Sequence, residues 1–258
     1  MNVKQFDMNF FNHIADSFVA AAPAASFVTT NLQAYWDANV GSGSTIWNDI
    51  HQTYNATPYT YNLGLGNGAA FTTIGGVNAV YFDGVNDVAG VGLRPQPVDD
   101  PLMATLLLNY TNELWIRSNG AWLSNGNFWS AAYNQGSRCR WSGSAVTIYA
   151  PNTDTFTTSY GGTAVWTQNV WHHMAVTMEN LGGTNDRLSV YRNGVLIAQD
   201  TTGNYAPTLA FDDFYLATWN GSGELQRMYA GLVRRYNIAL TAAQVTQNFN
   251  AEKARFGY

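Results

Sequence analysis

Residues 171–203, WHHMAVTMENLGGTNDRLSVYRNGVLIAQDTTG, decide how the rest of the chain is read. The stretch divides into a strand, a polar connection and two further strands joined by Asn193-Gly194. An Asn-Gly pair accepts positive φ at both central positions, and the tight turn built that way follows strand twist without splaying it. Counting outward from the turn pairs Arg192 with Val195, Tyr191 with Leu196 and Val190 with Ile197. Side chains alternate across a strand, so Leu188, Val190 and Ile197 share one face and Tyr191 and Leu196 the other. With apolar groups on both faces, the hairpin suits the inside of a two-layer sandwich, its outer face partly covered by a loop. In the preceding strand Met174, Val176 and Met178 alternate with His173, Ala175 and Thr177, which marks a core side there too.

The whole chain fits that reading. Its 258 residues suit one large all-β domain as well as two smaller ones. Only 11% of them are charged, against about a quarter in an average domain, so the surface is polar without being ionic. Twelve Lys and Arg stand against 17 Asp and Glu with no basic block, which argues against a phosphate-tracking nucleic-acid surface. A single cysteine, Cys139, excludes an intramolecular disulfide framework and a Cys-based zinc site. No apolar run approaches the roughly 18 residues of a membrane span. AAAPAA at 20–25 has the look of a small-residue cleavage region, but Asn9, Asn12, His13 and Asp16 interrupt the apolar stretch a signal peptide needs, and the segment reads as mature sequence.

Along the chain, Phe6, Phe10, Phe11, Ile14 and Phe18 fall at the spacing of one helical stripe, which Pro23 stops. Such a helix either packs on its own domain or forms an arm that inserts into a neighbouring subunit, since exposing each phenylalanine costs about 1.5–3 kcal/mol. Residues 1–30 are therefore read as an N-terminal arm and residues 31–258 as the domain. Val80 and Phe82, then Asp83-Gly84, then Val88 and Val91 read as two strands about a second reversal. LRPQPVDDP at 93–101 reads as loop or edge, and roughly a dozen short strand candidates fill the chain. In MYAGLVRRYNIA, Leu232 and Arg234 are expected to face away from Val233 and Arg235. Thr241 to Gln244 has the form of a capping box, with Leu240 and Val245 placed as a hydrophobic staple. The helix it opens is expected to run to about Arg255, with Lys253 and Arg255 in its last turn and Val245 and Phe249 on its docking face.

LQAYWDAN, IWNDI, AVYFDGVNDVAGV, NVWHHMAVTM, LSVYRNGVLIAQ and YAGLVRRYNIALTAAQVTQNFNAEKARFG, in that order, resemble the laminin-G-like jelly-roll domains of the concanavalin A-like superfamily. The resemblance runs from about residue 31 to the C-terminus. It implies a fold of two antiparallel sheets, an all-β jelly-roll sandwich, here with an N-terminal helical arm and a short C-terminal helix. The last motif is similar to versions of the domain found in phage and other virion proteins. That likeness implies a non-enzymatic structural or adhesion protein of the virion surface, as capsid decoration, head fibre or tail component. Its partners would be further copies of itself or other virion proteins, met through the arm. A carbohydrate-binding module is the alternative, because a fold does not dictate a function.

Candidate chemistry is sparse. Glycosidases on this fold carry carboxylates two apart on one strand, yet Glu113, Glu179, Glu224 and Glu252 each lack an acidic neighbour at that spacing. A pairing of Glu224 with Asp212 or Asp213 across strands stays open. His172 and His173, adjacent on a strand, point to opposite faces and do not share an ion. One is expected near the core and one nearer solvent. No cofactor is required, although calcium could be held by Asp83, Asn86 and Asp87 with Asp213; the alternative is that these aspartates bind turn amides. A glycan would be met by an aromatic platform with polar neighbours: Trp219 and Asn220, Arg140 and Trp141, with Trp129 and Tyr133.

Overall fold

In the computed structural model of the protein the described residues are 26–40, 45–50, 61–92, 109–131, 138–143, 145–149, 155–157, 166–182, 185–203, 213–219 and 223–258. The Phe6 to Phe18 stripe and the 93–101 connection lie outside them. Among the described residues sixteen strands, numbered in chain order, form two sheets. The first holds β1 (Leu32–Asp37), β4 (Ala70–Ile74), β5 (Val77–Asp83), β7 (Asn109–Ser118), β12 (Trp171–Asn180), β13 (Asp186–Arg192), β14 (Val195–Asp200) and β16 (Arg227–Tyr236). Its order is β14-β13-β12-β7-β16-β5-β4, and β1 pairs with the far end of β16. The second holds β2 (Ile46–Trp47), β3 (Leu63–Gly66), β6 (Val88–Gly92), β8 (Asn127–Ala131), β9 (Arg138–Trp141), β10 (Val146–Tyr149), β11 (Thr155–Thr157) and β15 (Asp213–Leu216), in the order β11-β10-β9-β8-β15-β6-β3-β2. The pairings are antiparallel, and a helix, α1 (Ala242–Glu252), follows β16.

The core sits between the sheets, where Leu114, Ile116, Met174, Val176, Met178 and Val233 meet Phe128, Trp129, Ile148 and Phe214. The alternate residues of the same three central strands are buried too. Trp115, Ala175, Leu232 and Tyr236 lie beneath Leu240, Val245 and Phe256 in a second apolar layer under α1. On the hairpin's outer face this layer takes in Tyr191, while Leu196 stays 43% exposed. Gly231 makes the cover fit. It is the residue left unpaired where β16 bulges against β7, and a Cβ there would come within 2.6 Å of the Phe256 ring.

The turn at 193–194 forms with both residues at positive φ, 50° and 77°. Arg192 pairs with Val195 and Tyr191 with Leu196, but a bulge then sets Val190 opposite Ala198, not Ile197. The extra residue lets both Ile197 and Ala198 pack against the core. Asp83-Gly84 also turns, though it does not join a hairpin. β5 belongs to one sheet and β6 to the other, so this reversal is a corner that carries the chain across the sandwich. The capping box on Thr241 forms, with the Gln244 amide donating to Oγ1 at 3.3 Å and the Thr241 amide donating to Gln244 Oε1 at 2.9 Å. The helix stops at Glu252, short of the expected Arg255. Lys253 and Arg255 thus lie past its last turn, and Arg255 is drawn instead to Asp37 of β1, at 2.7 and 2.8 Å.

Candidate functional site

On the outer face of the second sheet, β9 alternates Arg138 and Arg140 outward with Cys139 and Trp141 inward. An antiparallel bridge between Trp219 and Gly223 after β15 brings Trp219 and Glu224 to the same place. Trp219 and Gly223 exchange backbone hydrogen bonds of 2.7 and 3.1 Å, and the Asn127 amide donates to the Glu224 carbonyl at 2.8 Å. Ala217 and Glu224 are held at φ 61° and 48°, a region costly for residues other than glycine and often retained at binding sites. The Arg138 guanidinium lies 3.5 Å over the Trp219 ring and 4.2 Å over the Tyr149 ring, and that of Arg140 lies 4.2 Å over Tyr149. Glu224 accepts from Arg138 at 2.7 Å, from Arg140 at 3.4 Å and from Asn127 at 3.1 Å.

Two guanidinium groups facing one carboxylate leave an excess of one positive charge. Burial pulls Arg138 below its ordinary value, Glu224 works against that, and Arg140 adds to it. Arg140 Nε and Asn127 Oδ1 are buried without a hydrogen-bonding partner in the protein, and such groups call for an explanation. The face thus offers aromatic rings and a surplus of positive charge.

Of the residues expected to meet a glycan, Trp219 and Arg140 come together here. Trp129 and Trp141 do not. They are 0% and 2% exposed and belong to the core between the sheets. A bulge between Asn127 and Trp129 turns Phe128 and Trp129 both inward, so strand alternation misleads at that point. Asn220 and Tyr133 lie outside the described residues. Arg138 and Glu224 were missed as members of this site; the Arg-x-Arg alternation on an otherwise apolar strand was the available signal for Arg138.

The calcium stretch behaves as a turn. Asp83 Oδ1 accepts the amides of Val85 and Asn86 at 2.7 and 3.4 Å, and Asp87 Oδ2 accepts that of Asp83 at 2.8 Å. Asp87 Oδ1 alone is buried without a partner, where calcium takes about six to eight oxygens. Burial, followed in weight by the opposing Asp83 amide and then by the Asp83 charge, raises Asp87 above its ordinary value. Asp83 and Asp87 are thus engaged by turn amides, and among the described residues no three of His, Cys, Asp and Glu converge on one point. The Asp213 side chain lies outside those described.

The remaining ionisable residues form a buried network under α1. Glu113 of β7 lies between Arg234 of β16 at 3.1 Å and His173 Nε2 of β12 at 3.1 Å, all three fully buried. Asn248 of α1 donates to Glu113 Oε2 at 2.6 Å and accepts the Val28 amide at 2.7 Å. Arg234 also bonds to Glu252. Burial works against ionisation of Glu113, but His173, Arg234 and Asn248 outweigh it and hold the carboxyl below its ordinary value. Both histidines are buried, contrary to the expectation that one lies near solvent: His172 is 2% exposed and His173 0%. His172 lies on the other side of the strand, its Nε2 at 2.9 Å from the Thr167 carbonyl. Glu113, Glu224 and Glu252 are thus each engaged by arginine, and Glu179 pairs with Arg187 at 2.8 Å. No catalytic pair of carboxylates faces a cleft among the described residues.

Residues 97–246, more than half of the chain, match a laminin G family model described as the concanavalin A-like lectin/glucanases superfamily. No curated protein matches the sequence. The chain is similar to the receptor-binding domain of botulinum neurotoxin type G, at 14% identity and a TM-score of 0.60 over 86% of this chain and 52% of that one. It is similar to the binding domain of paraclostridial mosquitocidal protein 1, at 15% and 0.62 over 86% and 52%. It is also similar to Trypanosoma rangeli sialidase in complex with the inhibitor DANA, at 17% and 0.63 over 95% and 37%. The chain spans about half the length of the two toxin domains. At these identities the likeness is one of fold.

Proposed function

This chain belongs to the concanavalin A-like lectin/glucanases superfamily, and from that premise we propose that it is a non-catalytic carbohydrate-binding module whose face at Trp219, Arg138 and Arg140 takes an acidic glycan. The observation that carries the reading is the Arg138 guanidinium layered over Trp219 and Tyr149 beside Arg140, with Glu224 alone among the described residues to balance both cations. A sugar stacks its C–H groups on the face of an aromatic ring, and a carboxylate or sulfate on it meets the surplus positive charge. On a glycan array, acidic glycans are expected to bind and neutral ones to bind weakly at this face, with affinity falling as salt rises. In calorimetric titration Trp219→Ala and Arg140→Gln should each weaken binding at least about tenfold, or about 1.4 kcal/mol. Unchanged affinity in both variants, or no acidic glycan bound, overturns the proposal.

The resemblance to virion proteins supplies a setting, a particle surface on which the module is displayed through residues 1–30. One observation favours an arm fixed at its root. The chain enters the domain at Phe27 and Val28, with Arg234 3.8 Å over the Phe27 ring and the Tyr236 hydroxyl donating to the Val28 carbonyl at 2.9 Å. Deleting residues 1–25 keeps these anchors. The truncated protein is expected to fold with unchanged thermal stability yet to lose self-association or particle incorporation in sedimentation; full incorporation without the arm ends this reading. Among the described residues no helix is long and apolar enough to cross a membrane.

A further inference from the structure

We propose a second binding site, for a single neutral sugar ring or a polyol of that size, in the cleft between the start of α1 and the outer face of β12, β13 and β14. The cleft encloses about 280 Å³, just below the lower end of ordinary ligand clefts at about 300–1,000 Å³, so it holds one ring and not a chain of them. Register builds its floor. Thr177 lies opposite Ser189, and Ser189 opposite Gln199, so three polar side chains form one row across three strands. Thr111 continues the row on β7 and ties down the roof: its hydroxyl donates to the Ile238 carbonyl at 2.8 Å and accepts the Leu240 amide at 2.9 Å.

This row interrupts the apolar layer on which α1 rests. Thr177 and Ser189 are 4% and 1% exposed, and burying polar groups against a helix costs free energy unless they are hydrogen-bonded. Gln199 donates to the Ser189 hydroxyl at 3.0 Å, and the Tyr191 hydroxyl bonds to Ser189 and Thr177. The result is a cleft with a hydroxyl and amide floor, an aromatic ring at its side and Ala239, Leu240 and Ala242 above, beside Thr241. Such a lining matches a ring that is polar at its edge and apolar on its face.

Charge selects the neutral class. Glu179 and Arg187 at the rim cancel, and their side chains are 41% and 43% exposed, so this pair is weak enough to open toward a ligand. The first turn of α1 is already served by its own capping box, which removes the usual claim of a helix start on an anion. The cleft stands apart from the Trp219 face and does not depend on it.

The test is a titration of the ¹⁵N-labelled full chain with glucose, galactose, mannose and N-acetylglucosamine, with sodium acetate as the anionic control, each to about 10 mM, ten times a dissociation constant of about 1 mM. At least one sugar is expected to give saturable shifts at Ser189, Gln199 and Thr241, with none from acetate. Gln199→Ala, an exposed position, and Ser189→Ala should each weaken binding about tenfold, the loss of one good hydrogen bond. Ala242→Phe should fill the cleft and abolish it, and Trp219→Ala should leave it intact. Shifts absent with every sugar, confined to the Trp219 face, or unchanged in Gln199→Ala overturn the proposal, whatever the array shows for acidic glycans.

Discussion

Glu113→Ala is expected to destabilise the protein by about 3–5 kcal/mol, because it leaves Arg234 buried without its main counter-charge. The carboxylate faces both Arg234 and His173 at 3.1 Å, and Asn248 attaches α1 to it at 2.6 Å. A loss of that size lowers the melting temperature by about 6–20 °C in a domain of this length. Replacing both partners, Glu113→Leu with Arg234→Met, should cost less than the single substitution, since no orphaned charge remains. Denaturation of the two variants makes the comparison, and a single substitution costing under about 1 kcal/mol would show the network to be energetically idle.

The same carboxylate sets an acid limit. Its folded value is held below the ordinary 4.5, so its stabilisation is present above the unfolded value and is lost as pH falls through the folded one. Glu113→Gln removes this titration and should flatten the acid limb of stability against pH. Parallel acid limbs for the two proteins would assign the acid sensitivity elsewhere.

Trp115→Ala is expected to cost about 3–5 kcal/mol as well, by opening a cavity where the sheet meets its helical cover. Trp115 is fully buried, stacked on Phe256 at 4.1 Å and 7° and on Phe249 at 5.6 Å and 17°. These two rings come from α1 and the turn after it, so the indole is the apolar anchor of the C-terminal segment. Hydrogen exchange should show the Val245 to Phe249 amides losing more protection than those of β8 and β9 on the far sheet. Equal losses in both places would mean that the helix has no separate anchorage. Trp115→Phe, which keeps a stacking ring, should recover part of the loss.

The fold was legible where the controlling interactions are local. Asn193-Gly194 takes its turn because of the φ each residue tolerates, and Thr241 caps α1 because its hydroxyl reaches an amide three residues on. Strand alternation separated Leu232 and Arg234 from Val233 and Arg235, as the two apolar layers on either side of β16 now show. A bulge moved the partner of Val190 from Ile197 to Ala198, although Ile197 keeps the core side it shares with Leu188 and Val190; a second bulge turns Phe128 and Trp129 both inward, since one extra residue interrupts alternation. Asp83-Gly84 was recognisable as a turn, but whether a turn returns a strand to its own sheet or hands it to the opposite one depends on which partner each strand finds.

The candidate sites belong to that second kind. Arg138 and Glu224 are 86 residues apart, Glu113 and Arg234 are 121 apart, and Glu113 and Asn248 are 135 apart. Backbone sterics, alternation and capping act within a few residues, and they sufficed to specify an all-β sandwich with a capped C-terminal helix. That Trp141 is core while Trp219 meets Arg138, that Glu113 is a buried counter-ion, and that Thr177, Ser189 and Gln199 line one cleft became visible in the folded molecule alone. Those placements depend on register between distant strands, which the packing of the whole core selects and no short stretch encodes.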